Sequence, residues 1–353
     1  MKKFFKKVFN WELWPFNVIY APLGVMWLYY SIRARAFYFF VPTDPTLVFG
    51  GFEGESKKEI YGQLPAWSYP KTFYIDPEQD FDDANQIIKA GGLDYPFVVK
   101  PNRGMQGVLF RVIESEDQWR SYHALMPVDY VVQDYVQLPM EFSVFYIRYP
   151  NETKGKVTGF ILKDYMHVIG NGEKTLQELV NEHPKAMHRI SEMRTKHSDK
   201  WDSIVNAGEK YYLSMAGNHN RGARFINLHD KIDQQLCDVF DKMNNESHGL
   251  YYGRYDLKCT SIEDLKKGQN VVVLEYNGTG AEPNHIYDCG MSYWKALKVV
   301  TMHWHHMYKI GKINNKNGAP YWSFGKCRRF SKNCAREFKK LQVLDQNVSL
   351  TKY

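Results

Sequence analysis

Four residues in the second half of the 353-residue sequence are of types that could do chemistry together: Arg254, Asp256, Glu275 and Asn277. They lie in GLYYGRYDLKCTSIEDLKKGQNVVVLEYNGTGAEPN, residues 249–284. Side chains alternate along a strand, so Arg254 and Asp256 share one face of a strand predicted over Tyr251–Leu257. A polar turn follows from Ser261 to Asn270, with Gly268 as its breaker. A short β-branched strand over Val271–Leu274 then runs into Glu275, Tyr276 and Asn277. Paired as a hairpin, the two strands bring Asp256, Glu275 and Asn277 to one end. Two carboxylates and an amide oxygen are hard ligands of the kind Mg²⁺ takes alongside phosphate oxygens. Arg254, on the same face, suits an anionic group beside the metal. The competing reading is a surface hairpin with scattered charges, because a D…E-x-N pattern often arises by chance.

A second stretch, YPFVVKPNRGMQGVLFRVI (residues 95–113), supplies a partner for an anion. It predicts a strand over Phe97–Lys100, a loop over Pro101–Gly107 containing Gly104 and Gly107, and a return strand over Val108–Ile113. A lysine at a strand end beside a glycine-containing loop suits nucleotide phosphates. The lysine gives a point charge, and backbone N–H groups of Gly104, Met105, Gln106 and Gly107 close over the oxygens. An ordinary β-hairpin with an exposed lysine competes here as well.

The elements around these stretches must position them. Helices are predicted over Phe81–Ala90, stopped by Gly91-Gly92, and over Glu116–Leu125. Tyr130–Val136 reads as a strand and residues 140–150 as the next, with Glu141 near its start. In a nucleotide site the first offers backbone to adenine, and Glu141 accepts from ribose hydroxyls. Residues 157–165 form a further strand. VIGNGEKTLQELV then gives a turn on Gly170-Asn171-Gly172 and a helix from Thr175. Residues 181–209 read as a polar helical insertion, a lid or a solvated face. Gly50-Gly51 and Gly54 do not have the spacing of a dinucleotide fingerprint.

The charge is uneven. The chain carries +7 in all. Residues 1–40 contribute +5 and residues 321–353 contribute +6, leaving −4 between them. A mildly acidic body with two basic ends argues against a nucleic-acid binder. The five cysteines include no C-x-x-C pair, which points to free thiols and no zinc site. Residues 1–40 interleave lysines with aromatics, then run without charge from Leu13 to Ile32 and close on Arg33 and Arg35. Pro15, Asn17, Pro22 and Gly24 interrupt that run, and its Trp and Tyr prefer a membrane–water interface. An interfacial anchor on an anionic cytoplasmic leaflet is the favoured reading. A true span and an aromatic arm folded on the protein's own core are the alternatives. His303, His305 and His306 read as a packing stripe rather than a metal site. The basic tail reads either as a second membrane-facing patch or as a solvated helix.

Taken in order from Lys57 to Pro283, these motifs resemble the ATP-grasp carboxylate–amine ligases. PFVVKPNRGMQGV resembles the family's phosphate-binding strand–loop–strand, which makes Lys100 an ATP lysine. GESKKEI supplies the earlier ATP lysine, Lys57, with Lys58 as competitor. QDYVQLPMEF resembles the adenine–ribose hinge, implying Gln133, Asp134, Tyr135, Val136 and Glu141. GNHNRGARF resembles the N-x-x-R-G-G element, implying Asn218 and Arg221 near the γ-phosphate and substrate. It departs from that pattern in having Ala223 where a second glycine is expected. GRYDL…VLEYNG resembles the magnesium hairpin, with Asp256, Glu275 and Asn277 as ligands and Arg254 beside the acyl phosphate.

The resemblance implies an α+β ATP-grasp fold, two subdomains clasping ATP, over residues 41–290. A membrane-surface anchor (1–40) precedes it and a helical basic extension (291–353) follows. It implies an ATP- and Mg²⁺-dependent ligase joining a carboxylate to an amine, with two Mg²⁺ or Mn²⁺ in their place. A kinase, or an ATP-binding sensor or scaffold without turnover, are the alternatives. Only about thirty residues separate the anchor from Ile75, too few for the Rossmann-like domain that precedes this unit in related ligases. The expected partners are therefore lipid-linked or cell-envelope substrates at the cytoplasmic face of the membrane.

Overall fold

A computed structural model describes residues 10–215, 217–219 and 222–347. The basic run from Lys2 to Lys7 and the proposed Arg221 lie outside the described residues. The chain divides into two compact units, one of residues up to Ile161 and from Asn227 onward, the other of Leu162–Ile226.

In the first unit a short helix α1 (Phe16–Tyr20) and α2 (Gly24–Ala34) lead into irregular chain. Helix α3 (Lys57–Tyr61) follows, then β1 (Thr72–Ile75), α4 (Phe81–Ala90), β2 (Phe97–Pro101), β3 (Arg111–Ile113), α5 (Glu116–Leu125) and β4 (Tyr130–Asp134). Next come β5 (Met140–Ile147) and β6 (Lys156–Asp164), along which the chain enters the second unit. That unit holds β7 (His167–Ile169), α6 (Leu176–Glu182), α7 (Ile190–Lys196) and β8 (Lys210–Tyr212). The chain returns along β9 (Arg224–Asn227) to α8 (Gln234–Glu246), β10 (Tyr252–Cys259), α9 (Ile262–Lys267), β11 (Val272–Asn277), α10 (Tyr293–Lys316) and α11 (Phe324–Asn347). The result is a mixed α/β structure with antiparallel sheets.

The first sheet has the order β1-β4-β2-β3. Its strands are short apolar runs. Phe97, Val99, Tyr130 and Val132 are buried with Ala84 and Ile88 of α4 and Trp119 and Tyr122 of α5. Each buried Phe, Val or Ile among them stabilises by about 1.5–3 kcal/mol. Trp119 does so without an orphaned donor, because its Nε1 donates to the Tyr130 hydroxyl at 3.0 Å. The second sheet has the order β11-β10-β5-β6-β9. Phe145, Ile147 and Tyr252 from its centre pack with Tyr30, Phe39, Phe40, Met307 and Ile310.

Two expectations change here. The turn between the metal-hairpin strands contains α9. Ser261 caps it by accepting from the Asp264 N–H at 3.0 Å, and Gly268 ends it at φ 66°. The basic tail is neither wholly solvated nor wholly a membrane patch. On α11, Leu341 joins the core of the first sheet, and Asp345 makes a buried ion pair with Arg111 at 2.8 Å.

The N-terminal segment also packs on its own unit. Trp11, Ile19 and Leu23 are buried with Ile286, Leu297 and Val300, and Tyr30 with Met307 and Tyr308. Its other side is apolar as well. Val25, Leu28, Tyr29 and Ile32 recur at i, i+3, i+4 and i+7 and are 76%, 56%, 50% and 67% exposed. No helix among the described residues is long and apolar enough to cross a membrane.

The second unit has its own core of Met166, Val168, Leu176, Val180, Met193, Trp201 and Leu213. Thr175 and Glu178 form a reciprocal cap on α6. The polar insertion is thus part of a packed body, with Met193 and Trp201 turned inward.

Candidate active site

Helix α3 starts on a reciprocal cap at Ser56. The Ser56 hydroxyl accepts from the Glu59 N–H at 3.1 Å, and the Glu59 carboxylate accepts from the Ser56 N–H at 2.8 Å. The first turn is then tied to the loop after β2. The Lys57 N–H donates to the Asn102 carbonyl at 2.9 Å, and the Lys58 N–H donates to Asn102 Oδ1 at 3.1 Å. These two bonds bring Lys57 beside Lys100, the fourth residue of β2. Lys57 Nζ reaches the Gly104 carbonyl at 3.5 Å, and Lys100 Nζ reaches the Tyr61 hydroxyl at 3.3 Å. Tyr61 donates in turn to the Leu274 carbonyl at 2.6 Å, next to Glu275. Burial pushes both lysines down to about 8; for Lys57 the neighbouring Lys100 charge adds to this, while Glu275 opposes it for both. Two ammonium groups are held close and desolvated, an arrangement that an added polyanion would relieve.

The loop over the lysines has a fixed shape. Gln106 and Gly107 sit at φ 58° and 68°. The Val108 N–H donates to the Met105 carbonyl at 3.2 Å, and the Leu109 N–H to Asp345 of α11 at 3.1 Å. The C-terminal helix therefore braces this loop, something the sequence did not announce.

On β10 and β11 the register pairs Arg254 with Asn277 and Asp256 with Glu275, and a bulge follows Asp256. All four residues are thus neighbours. Arg254 grips Asp256 with Nε on Oδ1 at 3.1 Å and Nη2 on Oδ2 at 3.0 Å. Its Nη1 donates to the Glu282 carbonyl at 3.2 Å. The Ser143 hydroxyl of β5 also donates to Asp256 Oδ1. Asn277 Nδ2 donates to Asp256 Oδ2 at 3.2 Å, which leaves its amide oxygen to face elsewhere. Burial works against the Arg254 charge, but Asp256, Glu275 and Glu282 together outweigh it and hold the guanidinium above its ordinary value. The donor set of Asp256, Glu275 and Asn277 fits a hard divalent cation.

The hinge residues sit as follows. Gln133 is buried on β4 and donates to the Thr72 hydroxyl at 2.6 Å. Asp134 is exposed at the strand end, and Tyr135 is partly buried. The Val136 carbonyl accepts from Lys258 Nζ at 3.0 Å, and Lys258 lies opposite Glu141 in the β10–β5 register. Burial lowers Lys258, and Glu141 opposes that shift. Asn218 belongs to the second unit, where its carbonyl accepts from the Ala223 N–H at 3.2 Å. Ala223 is fully buried there, and the Lys185 ammonium donates to its carbonyl at 2.9 Å.

Three features escaped the sequence reading. Glu55 is pushed up to about 7, first by burial and also by Glu275, and its buried Oε2 has no hydrogen-bond partner among the described residues. Gly50-Gly51 meets the chain just after Asn277. A Cβ on Gly278 would lie 2.9 Å from the Gly51 Cα, and the Thr279 and Gly280 N–H groups donate to the Gly50 and Gly51 carbonyls at 3.2 and 3.1 Å. Lys258 lacked a glycine loop or strand-end position to mark it.

The glutathione biosynthesis bifunctional protein GshAB of Clostridium perfringens is 30% identical over 148 residues, covering 37% of this chain and 19% of that protein. The chain is similar to ATP-grasp ligases. A bifunctional glutathione synthetase from Pasteurella multocida has a TM-score of 0.40 at 16% identity, covering 67% of this chain and 34% of its own. The D-alanine–D-alanine ligase of Bacillus anthracis has a TM-score of 0.37 at 14% identity, covering 72% and 65%. No family model matches the chain. The ATP-grasp resemblance thus covers part of each relative, and this chain spans about one fifth of the curated protein's length.

Proposed function

We propose that this protein is an ATP- and Mg²⁺-dependent ligase that joins a carboxylate to an amine through an acyl phosphate. The observation that carries the reading is the convergence of Lys57, Lys100 and Glu275, with Asp256 beside Glu275 in the hairpin register. Lys57 and Lys100 bind the phosphate chain of ATP, and the Gly104–Gly107 loop covers it. Gln133, Asp134, Tyr135, Val136 and Glu141 frame adenine and ribose. Asp256, Glu275 and the Asn277 amide oxygen would hold Mg²⁺, which neutralises charge on the transferring phosphoryl group when bound. Arg254 stands beside that group. The protein's own contribution is positioning and fixed charge, so no side-chain nucleophile is required.

The same reading places the reaction at a membrane surface. The exposed stripe Val25, Leu28, Tyr29 and Ile32, continued by Phe16 at 67% exposure, would enter the headgroup region, with Arg33 and Arg35 on anionic lipid. The substrate class is then amphiphilic or lipid-linked, at the cytoplasmic face.

The test is ATP turnover by the full chain with Mg²⁺ against pooled bacterial lipid and amino-acid extracts. Stimulated release of ADP together with phosphate, absent in Glu275→Gln, supports the ligase. ADP without phosphate supports a kinase, and binding without turnover under every extract supports a sensor.

A further inference from the structure

The loop from Gly278 to Tyr287 leaves the metal hairpin and is clipped at both ends. Gly50 and Gly51 hold its start through the Thr279 and Gly280 N–H groups. Farther along, the His285 carbonyl accepts from Asn227 Nδ2 at 3.1 Å, and the Glu282 carboxylate ties the loop to α1. The Tyr287 hydroxyl donates to Glu282 Oε1 at 2.5 Å, and the Tyr20 hydroxyl of α1 donates to the same oxygen. The main-chain carbonyl of that same Glu282 accepts from Arg254 Nη1 at 3.2 Å. Tyr20 is itself fixed. Phe16 stacks on it at 4.4 Å between ring centroids, and Trp304 lies at 6.4 Å. Burial first, then the Glu282 charge, pushes the Tyr20 phenol far up, so it stays a donor at neutral pH.

We propose that Tyr20 is a positioning residue for Arg254, acting through Glu282, so that the N-terminal segment forms part of the candidate site. Arg254 has one carboxylate and one carbonyl to hold its fork. Asp256 sits two residues away on the same strand and moves with it. Asp256 is held within the sheet, by Ser143 of β5 and Asn277 of β11, whereas Glu282 is tied through Tyr20 to the N-terminal segment. A small displacement of a positioning contact is enough to slow a reaction substantially. The inference rests on the reading that Arg254 attends the transferring phosphoryl group.

The experiment compares Tyr20→Phe with Tyr293→Phe in the full chain. Tyr293 donates to the Ile19 carbonyl at 2.9 Å, so its loss loosens the same segment without touching Glu282. Hydrogen exchange of residues 278–288 is read first, then ADP release with ATP and Mg²⁺. Tyr20→Phe should speed exchange in that loop about 10-fold. It should also lower kcat about 10-fold with KM for ATP within about two-fold. Tyr293→Phe should change neither. Glu282→Gln, which keeps an acceptor oxygen, should retain most activity, and Glu282→Ala should match Tyr20→Phe. A Tyr20→Phe loop that exchanges like wild type overturns the inference, and so does an equal effect of Tyr293→Phe. Failure of the ligase reading looks different: wild-type protein that binds no ATP–Mg²⁺ in calorimetry, whatever the exchange shows.

Discussion

Arg254 and Asp256 form a two-point ion pair within a single strand, with contacts of 3.1 and 3.0 Å, and the carboxylate in that pair is one of the two the site would offer to a metal. Asp256 therefore has its charge answered before any cation arrives. Removing the guanidinium leaves a nearly buried carboxylate without its main partner, which typically costs about 3–5 kcal/mol. Arg254→Leu should lower stability in urea by about 3 kcal/mol, and added Mg²⁺ should recover part of that loss. Equal losses with and without Mg²⁺ would contradict the shared-ligand arrangement.

Stability should follow pH in two opposite limbs. Lys57 and Lys100 stand at about 8 against an ordinary 10.5, so the fold holds fewer protons than the unfolded chain between those values. Stability contributed by them rises with pH across about 8 to 10.5. Glu55 stands at about 7 against an ordinary 4.5, so the fold holds more protons there, and stability falls as pH rises through that window. Glu55→Gln should flatten the acid limb and Lys100→Met the basic one, as read by thermal melts from pH 4.5 to 10.

Binding of ATP–Mg²⁺ should reverse the lysine shift. A polyphosphate restores the favourable charge environment of both ammonium groups, so binding above about pH 8 takes up protons. Calorimetry in buffers of different ionisation enthalpy measures that uptake. Lys57→Met and Lys100→Met should each weaken ATP at least about 10-fold while leaving the free protein as stable or more so, since a buried charge is removed.

Replacing Val25, Leu28 and Ile32 together with Ser removes apolar surface that is mostly exposed. Thermal stability should stay within about 0.5 kcal/mol. Co-sedimentation with vesicles containing anionic lipid should fall about 10-fold or more. Unchanged sedimentation would remove the membrane surface from the account.

The parts of the site legible in the sequence were those carried by local pattern. The period-two run around Arg254 and Asp256, the β-branched run before Glu275, and the strand-ending Lys100 each name their element by residue type. Lys57 came only from the resemblance, with Lys58 as its competitor, and the Ser56–Glu59 cap that fixes where its helix begins is a feature of the structure. What stayed hidden depends on long-range packing. Glu55 lies on irregular chain, and only the approach of Glu275 marks it. Gly50-Gly51 has no motif spacing because its partner is Gly278, more than two hundred residues on. Asp345 looks like one acid in a basic tail until Arg111 and the Leu109 N–H meet it. The aromatic stretch before Val41 was ambiguous for a physical reason: helix α2 is apolar on both sides, one packed and one exposed, and composition cannot separate them.

The proposed ligase activates its carboxylate as an acyl phosphate. Hydroxylamine intercepts such a species, giving a hydroxamate and free phosphate. The decisive measurement is hydroxamate formation by the full chain with ATP, Mg²⁺ and the carboxylate-containing fraction of the extract. Hydroxamate should form in step with ADP, and none should form with Glu275→Gln or without Mg²⁺. ADP release with a phosphorylated product and no hydroxamate would contradict the acyl phosphate.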